Sequence, residues 1–133
     1  MTTTNKIIVQ RALTGLIETG DVEALGQLLS DGFVHHRPGS APSTKREWLA
    51  AVRAALVPLV GMQVEIHQVL ADGDHVVVYS RRWLPDRGPG IAVVDIWRIE
   101  AGLIAEGWEI IEPVAQVAAN LAWWESARAD SQR

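Results

Sequence analysis

Gly90-Ile-Ala-Val-Val-Asp-Ile-Trp-Arg-Ile-Glu-Ala-Gly-Leu-Ile-Ala-Glu-Gly-Trp-Glu-Ile-Ile111 reads as two β-strands joined by a tight turn, and their register decides the fold. Glu100-Ala101-Gly102 has the make-up of a three-residue hairpin loop, with Gly102 in the left-handed region. Such a loop sets Ile99 opposite Leu103, Asp95 opposite Gly107 and Val93 opposite Glu109. Asp95 and Glu109 then become diagonal neighbours on one face, with Cβ atoms roughly 7 Å apart. A slip of one residue would send them to opposite faces. A carboxylate on a half-buried strand is costly unless it is paired, solvated in a cavity or used. Both faces of the first strand are apolar, with Val93, Trp97 and Ile99 on one and Ala92, Val94 and Ile96 on the other. Helices should cover one face. The other calls for a second copy of the chain, so a homodimer through the sheet is expected.

Upstream of this hairpin, Pro85 to Gly90 is a longer turn and His75 to Leu84 a further strand, preceded by the turn Ala71-Asp-Gly-Asp74. From Gly61 the period is two, with Met62, Val64, Ile66 and Leu70 alternating with polar residues. Three helices come before it. Ile8, Leu13, Leu16 and Ile17 form the stripe of the first, ended by Gly20, and Asp21 caps the second, which carries Val22, Leu25, Leu28 and Leu29. Thr44-x-x-Glu47 resembles a capping box opening the third, through Trp48, Leu49, Val52, Ala55 and Leu56. Phe33 to Ser43 is too rich in Pro and Gly for a long regular element and is expected to be loop-like. Pro113 stops the sheet, and Ala115 to Arg128 returns to helical spacing. Helices, a meander of four strands and a closing helix predict the α+β class, a curved antiparallel sheet wrapped around the N-terminal helices. The space between sheet and helices is a natural small-molecule cavity.

The 133 residues fit one domain spanning 1–133, without repeats or linkers. A net charge of −4, from 12 basic and 16 acidic residues, gives no sign of nucleic acid or an anionic membrane as partner. The absence of cysteine removes disulfides, thiol catalysis and Cys-based zinc sites. Without a signal peptide or an apolar run of transmembrane length, a cytoplasmic location is the default expectation. Six tryptophans against one Phe and one Tyr supply large rigid rings, which fill cores and also wall apolar pockets.

Three motifs carry a family resemblance. Ala92-Val-Val-Asp-Ile-Trp-Arg-Ile-Glu-Ala-Gly-Leu-Ile-Ala-Glu-Gly-Trp-Glu-Ile is similar to a hydrophobic–Asp–Ile–Phe–Arg strand, an acidic–Gly turn and an Ile-x-Glu-His-Trp-Asp strand. Phe33-Val-His-His-Arg-Pro is similar to Tyr-Ile-Gln-His-Asn-Pro, and Asn120 and Trp124 match the Asn and large aromatic of a closing helix. From Lys6 to Trp124 the chain resembles the SnoaL-like branch of the nuclear transport factor two-like superfamily. The resemblance implies a cone-shaped α+β barrel. It also implies chemistry such as the intramolecular aldol closures of polyketide cyclases, with limonene-type epoxide hydrolases and ketosteroid isomerase as related folds. An aspartate of the His-Trp-Asp strand is the acid/base group of the cyclases. That position is Glu109 here, one methylene longer, and the preceding His is Gly107. The same fold also hosts proteins with no known reaction.

Asp95 and Glu109 are thus the candidate acid/base pair, able to share one proton in an apolar cavity. A neutral acid can polarise a carbonyl or epoxide oxygen while its ionised partner takes a proton. The competing reading is structural pairing with Arg81, Arg82 or Arg98. Gly107, opposite Asp95 in the expected register, would leave room for substrate. His35 and His36 point to opposite sides of an extended chain. The resemblance selects His36 as the group that touches a substrate oxygen, and the competing reading is a histidine that ties down its own loop. Tyr79 and Arg81 share a strand face, which favours Arg81 over Arg82 as the inward arginine and places both in substrate binding. The hydrolase relatives use an acid–Arg–acid relay. Trp48, Trp97 and Trp124 complete the expected pocket wall, although tryptophans more often mean core. Metal binding is not expected, because His35, His36, His67 and His75 lack i, i+4 spacing on a helix. Nothing requires a cofactor. The expected function is acid/base catalysis of a cyclase or aldol type on a small apolar oxygenated substrate, with Glu109 as the leading group. The alternatives are epoxide hydrolysis, a non-catalytic binding protein and an interaction module using the outer sheet face.

Overall fold

The computed structural model describes residues 2–86, 88–113 and 121–122. Helix α1 (Thr2–Thr19) stops where Gly20 turns left-handed and returns its N–H to the Leu16 carbonyl at 2.9 Å. Asp21 caps α2 (Val22–Gln27) by accepting from the Ala24 N–H at 3.0 Å. The capping box of α3 (Lys45–Leu56) is closed at both ends. Thr44 Oγ1 accepts from the Glu47 N–H at 3.2 Å, and Glu47 Oε1 accepts from the Thr44 N–H at 2.9 Å. The closing helix expected over Ala115 to Arg128, with Asn120, Trp123 and Trp124, lies outside the described residues apart from Leu121 and Ala122.

Among the described residues, six strands form one open sheet in the order β2-β1-β6-β5-β4-β3. They are β1 (Leu29–His36), β2 (Ser43–Thr44), β3 (Gln63–Asp72), β4 (His75–Trp83), β5 (Ile91–Glu100) and β6 (Leu103–Pro113). The α+β reading holds, with two corrections. Phe33 to His36, expected to be loop, belong to strand β1, and that strand runs parallel to β6, so the sheet is not wholly antiparallel. The exposed Asp31-Gly32 pair interrupts the apolar alternation, and the ladder shifts register between Leu29 and Val34. Helix α1 lies on β3 and β4 and α3 on β1, all on one face of the sheet. Between them Val9, Leu25, Phe33, Val76, Val78, Trp97 and Ile104 make the core.

The β5–β6 register departs from expectation twice, and the departures compound. The turn has two residues, Ala101 and Gly102, both at positive φ (52° and 78°), and Glu100 pairs with Leu103. Continued unbroken, that register would place Asp95 opposite Trp108 and expel Glu109 to the outer face. A bulge intervenes: Ile99 pairs with Ile104 but Arg98 with Glu106, so Ala105 is the extra residue. The net shift is two residues. Asp95 therefore stands directly opposite Glu109, on the same inward face.

Candidate active site

A cavity of about 370 Å³ lies between the inner sheet face and the helices. Its helix wall is apolar, including Leu13 and Leu16 from α1 and Ala51, Val52, Ala55 and Leu56 from α3. Its sheet wall carries two adjacent rungs of different character. One rung is polar: Asp95 on β5 opposite Glu109 on β6, with Arg37 beyond the end of β1. The next is aromatic: Trp97 on β5, Gly107 on β6 and His35 on β1.

In the polar rung, Arg82 Nη2 donates to Asp95 Oδ2 at 2.8 Å, and its Nη1 lies 4.0 Å from Glu109 Oε2. Arg37 grips Glu109 Oε1 from Nε at 2.7 Å and from Nη2 at 2.6 Å. The four groups form a chain, Asp95–Arg82–Glu109–Arg37, of alternating sign. The Asp95 side chain is 1% exposed, while that of Glu109 is 12% exposed. Burial pushes the Asp95 carboxyl up to about 7, with Arg82 pulling the other way and Glu109 adding to the rise. His35, 3% exposed and stacked on Trp48 at 5.0 Å, is pushed down to about 4, chiefly by burial and against the pull of Glu109. Near neutrality the histidine is uncharged and Asp95 is divided between its two states. Among the described residues, Asp95 Oδ1, Arg82 Nε, His35 Nε2 and Trp97 Nε1 are buried without a hydrogen-bond partner. Orphaned polar atoms concentrated beside a cavity are the expected mark of a site that takes a polar ligand group.

The model of the SnoaL-like domain matches residues 9–107. The chain belongs to the SnoaL-like family. No curated protein matches it. Among solved structures, it is similar to a SnoaL-like protein of unknown function from Burkholderia thailandensis, with 17% identity over 84% of this chain and 98% of that one and a TM-score of 0.71. A candidate ketosteroid isomerase from Kribbella flavida aligns at 17% identity over 85% and 81%, TM-score 0.70. An epoxide hydrolase from M. tuberculosis, of the limonene type, aligns at 21% identity over 84% of each chain, TM-score 0.64. At these identities the likeness is one of fold.

In this SnoaL-like protein Asp95, Glu109, Trp48 and Trp97 meet in the cavity, as expected from the sequence. Three expected members lie elsewhere. His36 is on the outer face, stacked on Trp108 at 5.3 Å and bonded through Nε2 to Glu106 at 2.6 Å. Tyr79 is 41% exposed beside His67, and Arg81 stacks over Trp83 at 4.9 Å and donates to the Pro89 carbonyl. Strand parity is the reason, because Val76, Val78 and Ser80 face inward and carry Arg82 with them. Trp124 lies outside the described residues. The residues that take the inward places are His35, Arg82 and Arg37. The large apolar Phe33, two positions before His35, was the available signal for the histidine. Nor does Gly107 leave space for substrate: it pairs with Trp97 rather than with Asp95, and the indole fills the position. Among the described residues no helix is long and apolar enough to cross a membrane.

Proposed function

We propose that this SnoaL-like protein is an acid/base enzyme acting on a small, mainly apolar substrate that carries a carbonyl, with proton transfer next to that carbonyl as its chemistry, as in isomerisation or aldol-type ring closure. The observation that carries this reading is the Asp95–Arg82–Glu109 chain, in which one carboxylate opens on the cavity and the other is held near its midpoint behind it. Glu109 is the member that meets the substrate and takes its proton. Asp95 responds through Arg82, because a carboxylate that gains a proton leaves the shared guanidinium free to favour ionisation of the other. His35, uncharged at neutral pH, offers a donor to the substrate oxygen in its Nε2–H tautomer. The cavity volume lies in the range that small ligands occupy.

Exchange of the protons next to the carbonyl of small cyclic ketones into deuterated water, followed by mass, tests the reading. Glu109→Gln should lower the rate by about 100-fold, the low end for loss of a general base. A folded Glu109→Gln protein with undiminished turnover would reject Glu109 as the acid/base.

The alternating acid–Arg–acid order specifically supports a second reading, hydrolysis of an epoxide by a water activated at the pair. Oxygen-18 from water would then appear in a diol product, whereas proton exchange incorporates none. Assembly belongs to the proposal too. Leu70, Tyr79 and Ile110 lie 58%, 41% and 49% exposed on the outer sheet face, which favours a second copy of the chain as its cover. Sedimentation should show a dimer that Ile110→Asp dissociates, and a monomer at micromolar concentration would reject it.

A further inference from the structure

We infer that Trp97, seated over Gly107, sets the substrate size limit of the cavity by restricting the bulk a ligand can carry beside the Asp95–Glu109 rung. The inference takes its location from the proposed active site but concerns fit rather than proton transfer. A Cβ built on Gly107 would lie 2.5 Å from Cζ3 and 2.7 Å from Cε3 of the Trp97 ring, and 3.3 Å from His35 Cδ2. Real contacts of that kind do not occur below 3.0 Å, so the indole occupies the volume that any side chain at 107 would need. The ring is held in place. It is 5% exposed, edge-on to Trp48 at 6.1 Å and tilted against His35 at 6.2 Å.

Asp95 and Glu109 lie two residues along their strands from Trp97 and Gly107, a separation of roughly 7 Å. A ligand atom that reaches the carboxylates therefore has the indole for its neighbour on the sheet side. Opposite, α3 presents the short side chains of Ala51 and Ala55. Trp97 is fixed by its ring contacts, and the α3 wall carries Val52 and Leu56 beside the two alanines. The geometry selects substrates whose oxygen-bearing carbon is flanked by unbranched carbons, with their bulk turned toward α3.

Calorimetric binding of two probes tests this, cyclohexanone and 2,2,6,6-tetramethylcyclohexanone, which differ only in branching next to the oxygen. The wild-type protein should prefer the unbranched ketone by about tenfold, a typical worth for a few methyl groups in a fixed pocket. Trp97→Leu should erase or reverse that ratio. Gly107→Ala should destabilise the wild type, yet be accepted in the Trp97→Leu background and restore the preference, a coupling that a merely structural tryptophan would not transmit to ligand ratios. Trp97→Phe provides the same readout in a smaller step if the Leu variant does not fold. An unchanged ratio in a folded Trp97 variant, or no binding of either ketone to any of these proteins, overturns the inference. Because the readout is a binding ratio, failure of Glu109 as a catalytic group would leave it untouched.

Discussion

His35 and His36 are neighbours in the chain and opposites in chemistry. His35 faces inward, buried among Phe33, Trp48 and Trp97, and is kept uncharged. His36 faces outward, and its ring nitrogen meets Glu106, which also accepts from Arg98. Arg82 and Arg81 repeat the division on β4, the first bound to a buried carboxylate and the second, itself exposed, spread over the half-buried Trp83 indole. Residue type does not assign these roles. The alternation of the strand does, and the two faces then differ in what a charge costs.

Three experiments bear on that contrast. The largest effect is expected from the arginines. Arg82→Met strands the buried Asp95 without its counter-charge and should lower unfolding stability by about 3 kcal/mol, where Arg81→Met should stay within about 0.5 kcal/mol. Chemical denaturation of both variants measures the difference, and equal losses would mean that the inner ion pair has no special status.

The second concerns stability against pH. Asp95 has its carboxyl raised from 3.8 to about 7, so the folded state binds its proton more tightly than the unfolded chain. Its contribution is fully present below pH 4 and is lost as pH rises through 7. His35 is lowered from 6.5 to about 4, so its contribution is present above 6.5 and is lost as pH falls through 4. Between pH 4 and 6.5 the two slopes oppose, each up to about 1.4 kcal/mol per pH unit. Asp95→Asn should therefore make stability rise more steeply with pH across that window than in the wild type. His35→Phe, which keeps a stacking ring, should make it fall. Parallel profiles for all three proteins would contradict the burial assigned to both groups. The smallest effect belongs to the outer face: His36→Gln should cost about 0.5 kcal/mol, shrink with added salt and leave turnover unchanged.

Much of this architecture was readable from the residues. Gly20, Asp21 and the Thr44–Glu47 box mark helix ends through local chemistry that tertiary packing does not override. The strands β3 to β6 follow from alternation and turn residues, but the two-residue Ala101–Gly102 turn and the bulge at Ala105 do not. What escaped reading was parity and pairing over distance. Val76, Val77 and Val78 form an unbroken apolar run, which conceals the inward face of β4 and with it the choice between Arg81 and Arg82. Strand β1 is masked by Asp31-Gly32 at its middle and by Pro38-Gly39 just beyond, and its partner β6 lies some seventy residues away, at Gly107 for His35. The fit of Trp97 to Gly107 is likewise a contact across strands. The glycine is visible in the sequence, but its occupant is not.

The unpaired Ala105 has one further implication. Deleting that alanine would make Ile104 and Glu106 successive rungs opposite Ile99 and Arg98 and keep Glu109 across from Asp95, whereas a residue lost between Glu106 and Glu109 would bring Ile110 across from Asp95 and put an isoleucine at the heart of the molecule. Descent in this family is then constrained by counting as much as by substitution. Loss of the bulge residue should be survivable, and any residue gained or lost between Glu106 and Glu109 should cost the pair.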